Sequence, residues 1–234
     1  MSSEVTICNM ALGHLGDTAT IASISPPDAS VQAQLCAKFY PAARNALLEM
    51  YAWGFATRRA VLALLDLPDI AGECQSWRFA YALPAGMLNA LAVQPKDAPS
   101  DYEAWFGPVD RDHFPPYPQG YLPVPGAPLI VPQPFELETS ADGTEVLLTN
   151  VPCALLRYTV LVTDATKFSA LFKLALSWLL ASMLAGPILK GDAGMQAGEQ
   201  CLAMFNTFEA KAEASDANQR KTNVQPAVSW IRGR

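Results

Sequence analysis

A run of apolar residues near the end of the chain constrains the fold more than any other feature. Between Phe168 and Ala185 the polar interruptions include Ser169, Lys173 and Ser177, which lie four residues apart. On a helix these three residues form one narrow stripe, so nearly every other face needs a surface to bury against. Such a helix is a core helix, a membrane span or a subunit-contact helix.

The membrane interpretation is the weakest of the three. The segment Ser169 to Leu189 has about the length that a span needs. However, Lys173 lies inside it, Gly186-Pro187 interrupts its far end, and no flanking basic cluster sets an orientation. We therefore expect a helix buried in protein, with no membrane partner. The side chains expected to pack in the core or between subunits are Phe168, Phe172, Trp178, Phe205 and Phe208.

Composition and charge narrow the class of protein. The 234 residues are 51% hydrophobic and 16% charged, which is typical of a folded chain and also fits a subunit of an assembly. A formal net charge of −6 argues against binding to nucleic acid by phosphate neutralisation. Five scattered cysteines without C-x-x-C spacing predict reduced thiols in a cytoplasmic protein, and the first residues do not resemble a secretory signal.

Apolar spacing predicts an α+β fold, mainly α, in which strands are inserted into a helical body. Helices are expected near residues 3–16, 28–53, 164–185 and 192–214. Residues 1–73 and 163–215 should form the helical body, with a β-rich insertion at 74–162 and a C-terminal arm at 216–234.

Helix boundaries are predicted from capping residues and prolines. One residue of Ser2-Ser3 should cap the first helix, with Gly16 as its stop, and Asp28 should cap the second. Pro41 removes a backbone donor, so the second helix should kink or restart there. One residue of Thr163-Asp164 should cap the first late helix.

Alternating apolar residues predict strands at 77–83 and 88–93, the second as the antiparallel partner of the first, while 60–65 could be a strand or an extended arm. A hairpin signal, Ser140-Ala141-Asp142-Gly143, lies between apolar runs at 135–139 and 144–149. A last strand is expected over residues 156–162.

The segment 95–134 is dense in proline and aromatic residues. Such a segment cannot be a helix and is a poor central strand, so we expect a long extended excursion. Long loops in compact domains are often functional. Its candidate binding residues are Trp105, Phe106, Phe114, Tyr117 and Tyr121.

Catalytic and metal-binding motifs are absent from the sequence. His14 and His113 have no second histidine or cysteine at ligand spacing, and pairs such as Asp110 and Asp112 are best explained as solvated surface acids. Asn9, between apolar positions of the first helix, is expected to be a satisfied buried amide. We expect no catalytic, metal or cofactor site, and no enzyme.

The C-terminal residues join a polar linker to an apolar and basic tip. Most termini are frayed, but tryptophan and arginine are residue types that anchor interfaces, so a docking arm is favoured. The candidate docking residues are Arg220, Lys221, Val228, Trp230, Ile231, Arg232 and Arg234.

Several short motifs together resemble one known family. They are Asn9–Gly16 (NMALGHLG), Phe39–Leu48 (FYPAARNALL), Trp53–Ala56 (WGFA) and Tyr81–Pro84 (YALP), followed by the late helix and the polar tail. This set resembles the head-to-tail adaptor of short-tailed bacteriophages, the tail tubular protein A family. The similarity extends over most of the chain, and its motifs are structural.

The resemblance implies a virion structural protein, made in the host cytoplasm, that forms a ring of typically twelve copies beneath the portal. The helical bodies would pack side by side, the β-rich part at 74–162 would face the tail nozzle, and the segment 220–234 would reach along the portal. The ring would continue the DNA channel and help to retain the genome until ejection, without sequence-specific DNA binding. The proline density of Pro108–Pro134 departs from the family pattern.

Three alternatives remain open from the sequence. One is a neck or head-completion protein of another tailed-phage type, with a different ring number. Another is a wall hydrolase that uses loop carboxylates near Tyr102 and Trp105, and a third is a membrane-active protein that inserts Ser169 to Leu189.

Overall fold

The structure is a computed structural model that describes residues 3–65, 77–96, 133–140 and 142–219. Within these ranges it has four α-helices and two antiparallel sheets, so the predicted α+β fold is confirmed. The helices are α1 (Glu4–His14), α2 (Val31–Met50), α3 (Ala170–Leu189) and α4 (Gly191–Asn218). The strands are β1 (Thr57–Val61), β2 (Leu64–Leu65), β3 (Phe79–Ala82), β4 (Met87–Pro95), β5 (Phe135–Thr139), β6 (Glu145–Thr149) and β7 (Ala154–Val160).

The chain divides into two compact units. The first takes its described residues from Met1–Arg58, Gly86–Ala90 and Tyr158–Arg220, and the second takes its described residues from Arg59–Ala85 and Leu91–Arg157. All four described α-helices therefore belong to the first unit. One sheet has the strand order β1-β7-β4 and the other has the order β2-β3-β6-β5.

α1 begins and ends where the sequence predicts. The Ser3 hydroxyl accepts a hydrogen bond from the Thr6 N–H (3.3 Å), and the Thr6 hydroxyl accepts one from the Ser3 N–H in return. This reciprocal pair satisfies donors that the first turn leaves free. At the other end Gly16 has a φ of +75°, and the Asp17 N–H donates to the Leu12 carbonyl oxygen (3.1 Å), which closes the helix.

α2 is capped by Ser30 and not by Asp28, so that prediction is wrong. The Ser30 hydroxyl accepts a hydrogen bond from the Ala33 N–H (3.1 Å). Asp28 accepts from the N–H groups of Ala22 and Ser30 and holds the preceding loop instead. Hydrogen bonds from Ser30 and Ala22 lower the pKa of Asp28 to about 2.

Pro41 lies in the middle of α2, which runs without interruption from Val31 to Met50. The helix does not restart at this residue. Tyr40 and Ala43, on either side of the proline, are fully buried. Burial of this face stabilises the helix even though the proline lacks an N–H for one backbone hydrogen bond.

α3 begins and ends later than the sequence predicts. The Asp164 side chain caps a separate 3-10 turn at Ala165–Lys167, and the Ser169 hydroxyl caps α3 by accepting from the Phe172 N–H (3.2 Å). The helix then continues through Gly186-Pro187 to Leu189. α4 also extends beyond its predicted end near residue 214, and residues 216–218, predicted to begin the C-terminal arm, are helical.

α3 is the core helix of the first unit. No residue from Leu171 to Ala185 is exposed, and Phe172, Leu176 and Leu180 are completely buried. The helix packs against α4, α1 and α2 of the same chain. Length and composition alone would let Ala170–Leu189 cross a membrane, but helices at the core of soluble proteins meet the same criterion.

The five side chains expected to pack in the core or between subunits all lie in this core. Phe168, Phe172 and Phe205 are buried, whereas Trp178 and Phe208 are partly buried and pack against the buried residues. The second unit has a smaller apolar cluster on its four-stranded sheet. That cluster contains Ala80, Val146 and Leu148, with Leu65 and Trp77 packed against it.

The predicted hairpin is confirmed by the pairing of β5 with β6. Thr139 pairs with Glu145, and the Ser140 N–H donates to the Thr144 carbonyl oxygen (2.8 Å) across the turn. Gly143 has a φ of +84°, a conformation that glycine adopts without strain. The last strand is also confirmed as β7.

The predicted pairing of β3 with β4 is wrong. β3 lies between β2 and β6, so both of its edges are already hydrogen-bonded. β4 pairs with β7 in the other sheet instead. Gly86, with a φ of +73°, precedes β4 and accepts a hydrogen bond from the Leu161 N–H (3.0 Å). The segment 60–65, left open above, contributes to β1 and β2.

α3 and α4 approach each other closely near the turn that joins them. A Cβ atom on Gly194 would lie 3.0 Å from the Ala185 carbonyl oxygen and 3.2 Å from the Gly186 Cα atom. A Cβ atom on Gly198 would meet the Ser182 carbonyl oxygen at 3.5 Å, which is an ordinary contact. Gly194 therefore sets the spacing of the two helices, whereas Gly198 does not.

We predict opposite effects for alanine at these two glycines. Gly194→Ala should lower the free energy of unfolding by about 1 kcal/mol or more, because the new methyl group presses on backbone atoms that cannot turn away. Gly198→Ala should raise it by up to about 1 kcal/mol, because alanine favours a helix interior and has room here. Urea unfolding followed by circular dichroism measures both, and equal effects at the two positions would contradict the assigned spacing.

Candidate functional site

The candidate site is the surface of α4 together with the polar contacts that hold this helix and α1 in place. The residues of α4 that face the unit recur at intervals of three and four, as expected for a helix packed along one side. They are Gly194, Gly198, Cys201, Phe205, Phe208, Ala212 and Asp216.

The outer row of α4 carries large apolar side chains that nothing covers in the described part of the chain. Met195 is 67% exposed and Leu202 is 46% exposed, and their separation of seven residues places them on one side of the helix. Leu189, at the end of α3, is 39% exposed. Neighbouring apolar side chains on a surface mark an interaction site more often than scattered ones do.

Acidic side chains surround this outer row. Glu199 lies between Met195 and Leu202, and Glu209 and Glu213 follow on the same side of the helix. Burial and the charge of Glu209 both raise the pKa of Glu213. The surface therefore combines apolar anchors with negative charge, and it suits a protein partner better than a phosphate backbone.

A stack of rings joins α1 to α3 and α4. The His14 imidazole lies parallel to the Trp178 indole with ring centroids 3.6 Å apart, and the Phe208 ring is also parallel to the indole, with centroids 6.4 Å apart. The Lys211 ammonium lies 4.9 Å from the centre of the Phe208 ring. This contact fixes the end of α1 against the helical hairpin formed by α3 and α4.

The hydrogen bonds of Ser177 define the chemistry of this cluster. Its hydroxyl donates to the Leu174 carbonyl oxygen (2.8 Å), so its oxygen accepts from the His14 Nε2–H (3.0 Å). Ser177 is completely buried. A hydroxyl that is already committed as a donor and has no access to solvent is a structural group and a poor nucleophile. Burial lowers the pKa of His14, so the imidazole is held in its neutral form.

Asn9 is the satisfied amide that the sequence predicts. Its Nδ2 donates to the Ile21 carbonyl oxygen (3.1 Å), and its Oδ1 accepts from the Ile21 N–H (2.9 Å). Both ends of the amide thus hold the loop that follows α1. Because both ends of the amide are bonded to the same backbone residue, the role of the side chain is structural.

Arg44 and Trp53 are further structural residues within the motifs. Arg44 is 9% exposed and donates through Nε and a terminal nitrogen to the Asn45 side-chain oxygen (3.1 and 3.0 Å). Its guanidinium also lies 3.9 Å from the Glu4 carboxylate. Trp53 is completely buried, and its Nε1 donates to the Leu47 carbonyl oxygen (2.8 Å).

Asp216 is a residue whose role the sequence did not reveal. Its carboxylate oxygens lie 3.0 and 3.1 Å from the Gly54 nitrogen and accept its N–H. The residue is only 9% exposed. The polar residues around it predict a polar linker. The inward row Phe205, Phe208 and Ala212, continued by one more turn, would have identified it.

Several sequence-based candidates lie outside the described residues. This applies to the nozzle-facing candidates Trp105, Phe106, Phe114, Tyr117 and Tyr121, and to the docking candidates Arg220, Lys221, Val228, Trp230, Ile231, Arg232 and Arg234. Among the described residues, no group of three or more His, Cys, Asp or Glu side chains is arranged to hold a metal ion. The four described cysteines, Cys8, Cys36, Cys153 and Cys201, are free thiols.

No family model matches the chain, and no curated protein matches it. The sequence motifs and the geometry described above are therefore the basis for inferring a function.

We predict that His14 makes the fold less stable as pH falls below about 6.5, the usual pKa of histidine in an unfolded chain. Because burial lowers the pKa of His14 in the folded state, the unfolded chain takes up the proton first, and stability is lost down to the folded pKa. The free energy of unfolding at pH 5.5 should therefore be lower than at pH 7.5.

The variant His14→Gln is the matched control for this effect. It retains His113 and every carboxyl group, so a smaller pH dependence in the variant reports His14 alone. Urea denaturation at the two pH values gives the comparison. An identical pH dependence in both proteins would show that His14 does not carry it.

Proposed function

We propose that this chain is a virion structural protein, the subunit of a head-to-tail adaptor ring that joins the portal to the tail nozzle of a short-tailed phage. In this role the chain binds copies of itself, the portal and the nozzle protein, and DNA passes through the ring without sequence-specific binding. The proposal includes no catalytic step and no cofactor.

The observation that carries the proposal is the position of the residues that make up the resemblance. Asn9 holds the loop after α1, and His14 stacks on Trp178 of α3. Tyr40 and Trp53 are completely buried in the same core. The motifs therefore describe how one helical unit is built, and a shared way of building the unit supports a shared role for it.

The outer row of α4 supports the self-association part of the proposal. Met195 and Leu202 are apolar and exposed, although the inner row of the same helix is fully used within the chain. A ring in which helical bodies pack side by side would cover such a row with the neighbouring copy. The acidic residues around the row would lie at the rim of that contact, where charge is tolerated.

Net charge supports the conduit part of the proposal. The chain carries 22 acidic and 16 basic residues. DNA moves freely past a wall that does not neutralise its phosphates, whereas a basic wall would retain it. A negative subunit is thus compatible with a channel through which a genome passes.

Electron microscopy of the purified protein with its portal tests the proposal directly. We expect a closed ring seated on the portal, and the symmetry of the ring separates this adaptor from a neck protein of another phage type. A single isolated copy on the particle, or a location away from the portal, would contradict the proposal.

We predict that Met195→Glu with Leu202→Glu prevents ring assembly while the subunit remains folded. Two added charges on the outer row would have to be buried without partners in the contact between copies. Light scattering of the purified protein measures the assembly, and circular dichroism measures the fold. Leu137→Glu, on β5 and 45% exposed, is the control that should leave the ring intact.

We predict that deletion of residues 226–234 abolishes attachment to the portal without unfolding the subunit. Trp230→Ala should weaken attachment by about 2 kcal/mol or more, as expected for an aromatic anchor. A pull-down with the portal and a titration measure the two effects. Full attachment of the truncated chain would remove the docking role of this segment.

A further inference from the structure

The last two turns of α4 are held by very few buried side chains. After Phe208 the buried residues of the helix are Ala212, which has a single methyl group, and Asp216. The other residues of these turns are exposed or only partly buried. The Asp216 carboxylate fixes this end of the helix by accepting from the Gly54 N–H at 3.0 and 3.1 Å.

The donor side of this contact is rigid. Trp53 is completely buried and hydrogen-bonded to Leu47, and the Thr57 hydroxyl donates to the Trp53 carbonyl oxygen (2.8 Å). On the other side of Gly54, the Phe55 ring packs edge to face against Phe172 with centroids 5.1 Å apart. The packing of the two aromatic residues on either side of Gly54 thus fixes the orientation of its N–H bond.

A side chain at Gly54 would crowd the carboxylate. A Cβ atom at this position would lie 3.1 Å from the Asp216 Oδ1 atom. A buried carboxylate costs desolvation energy, and an apolar side chain would hold a helix end at a lower cost. A hydrogen bond to a charged acceptor is strong and directional. It therefore fixes the position of the helix end, which burial of an apolar side chain alone would not do.

We propose that Asp216 and Gly54 form a clasp that fixes the last two turns of α4 and thereby positions the following segment, residues 220–234, to dock on the portal. The docking part of this inference rests on the proposed function. A segment whose root is fixed has fewer conformations to lose on binding, so its affinity for a partner increases. Asp216 is a positioning residue in this scheme and does not contact the partner itself.

The clasp can be broken from either side. Asp216→Ala removes the acceptor, and Gly54→Ala crowds it from the donor side. Asp216→Asn keeps one acceptor oxygen, so amide exchange and portal affinity should change less than in Asp216→Ala. It also serves as the test variant if the other two do not fold. Asn218→Ala is the matched control, because it removes an exposed polar side chain from the same turn of α4 and leaves the clasp intact.

Hydrogen–deuterium exchange of the full-length protein tests the clasp without any partner. We expect the amides of residues 212–219 to exchange about tenfold faster in Asp216→Ala and Gly54→Ala, as for the loss of one charged hydrogen bond. The amides of α3 and the control variant should keep the wild-type rates. Unchanged exchange at 212–219 in both variants overturns the clasp.

Titration of the same proteins with the purified portal tests the positioning role. Affinity should fall about tenfold in Asp216→Ala and Gly54→Ala, less in Asp216→Asn and not at all in Asn218→Ala, while the midpoint of global unfolding and the ring size change little. Faster exchange with unchanged portal affinity overturns positioning. If the wild-type protein does not bind the portal, the proposed function fails and positioning with it, whereas the exchange data still decide the clasp.

Discussion

The first unit depends on the burial of α3 by helices of its own chain. A helix with apolar residues on nearly every side would otherwise expose a surface that water disfavours. The polar residues within it are compatible with burial because Ser177 and Ser182 each donate to a carbonyl oxygen three residues earlier, at 2.8 and 2.7 Å. The hydroxyls thus need no partner outside the helix. Gly194 then lets α4 approach closely enough to cover one side of α3.

This burial changes the argument for assembly. The sequence left open whether the apolar surface of the late helices is buried within one chain or between subunits. α1, α2 and α4 together cover α3, and its composition therefore no longer requires a neighbour. The case for a neighbouring copy now depends on Met195 and Leu202, which are exposed on the outer row of α4. These two residues are fewer than the apolar residues of α3. Because they do not pack in the core, they can be substituted to test self-association without unfolding the subunit.

The fold was largely predictable where local chemistry decides the outcome. Ser3 and Gly16 bounded α1 correctly, and the turn with Gly143 placed the β5–β6 hairpin, because caps and turns depend on residues close in sequence. Strand pairing was not predictable in the same way. β4 follows β3 after a short turn, yet it pairs with β7, which lies far along the chain. Asp216 was missed because its polar neighbours hide the inward row of the helix, and its bond to the distant Gly54 N–H is not visible in the sequence.

Two polar side chains of the first unit share one property that connects its fold to the proposed role. Asn9 bonds to backbone atoms of Ile21 in the loop after α1, and Asp216 bonds to the backbone N–H of Gly54. Apolar packing stabilises the unit but tolerates small shifts, whereas a hydrogen bond to a fixed backbone group admits one arrangement. A subunit that repeats around a ring needs such definition at its ends, because a small error in each copy adds up and prevents closure. Directional bonds at the edge of an apolar core are therefore what a ring-forming subunit requires.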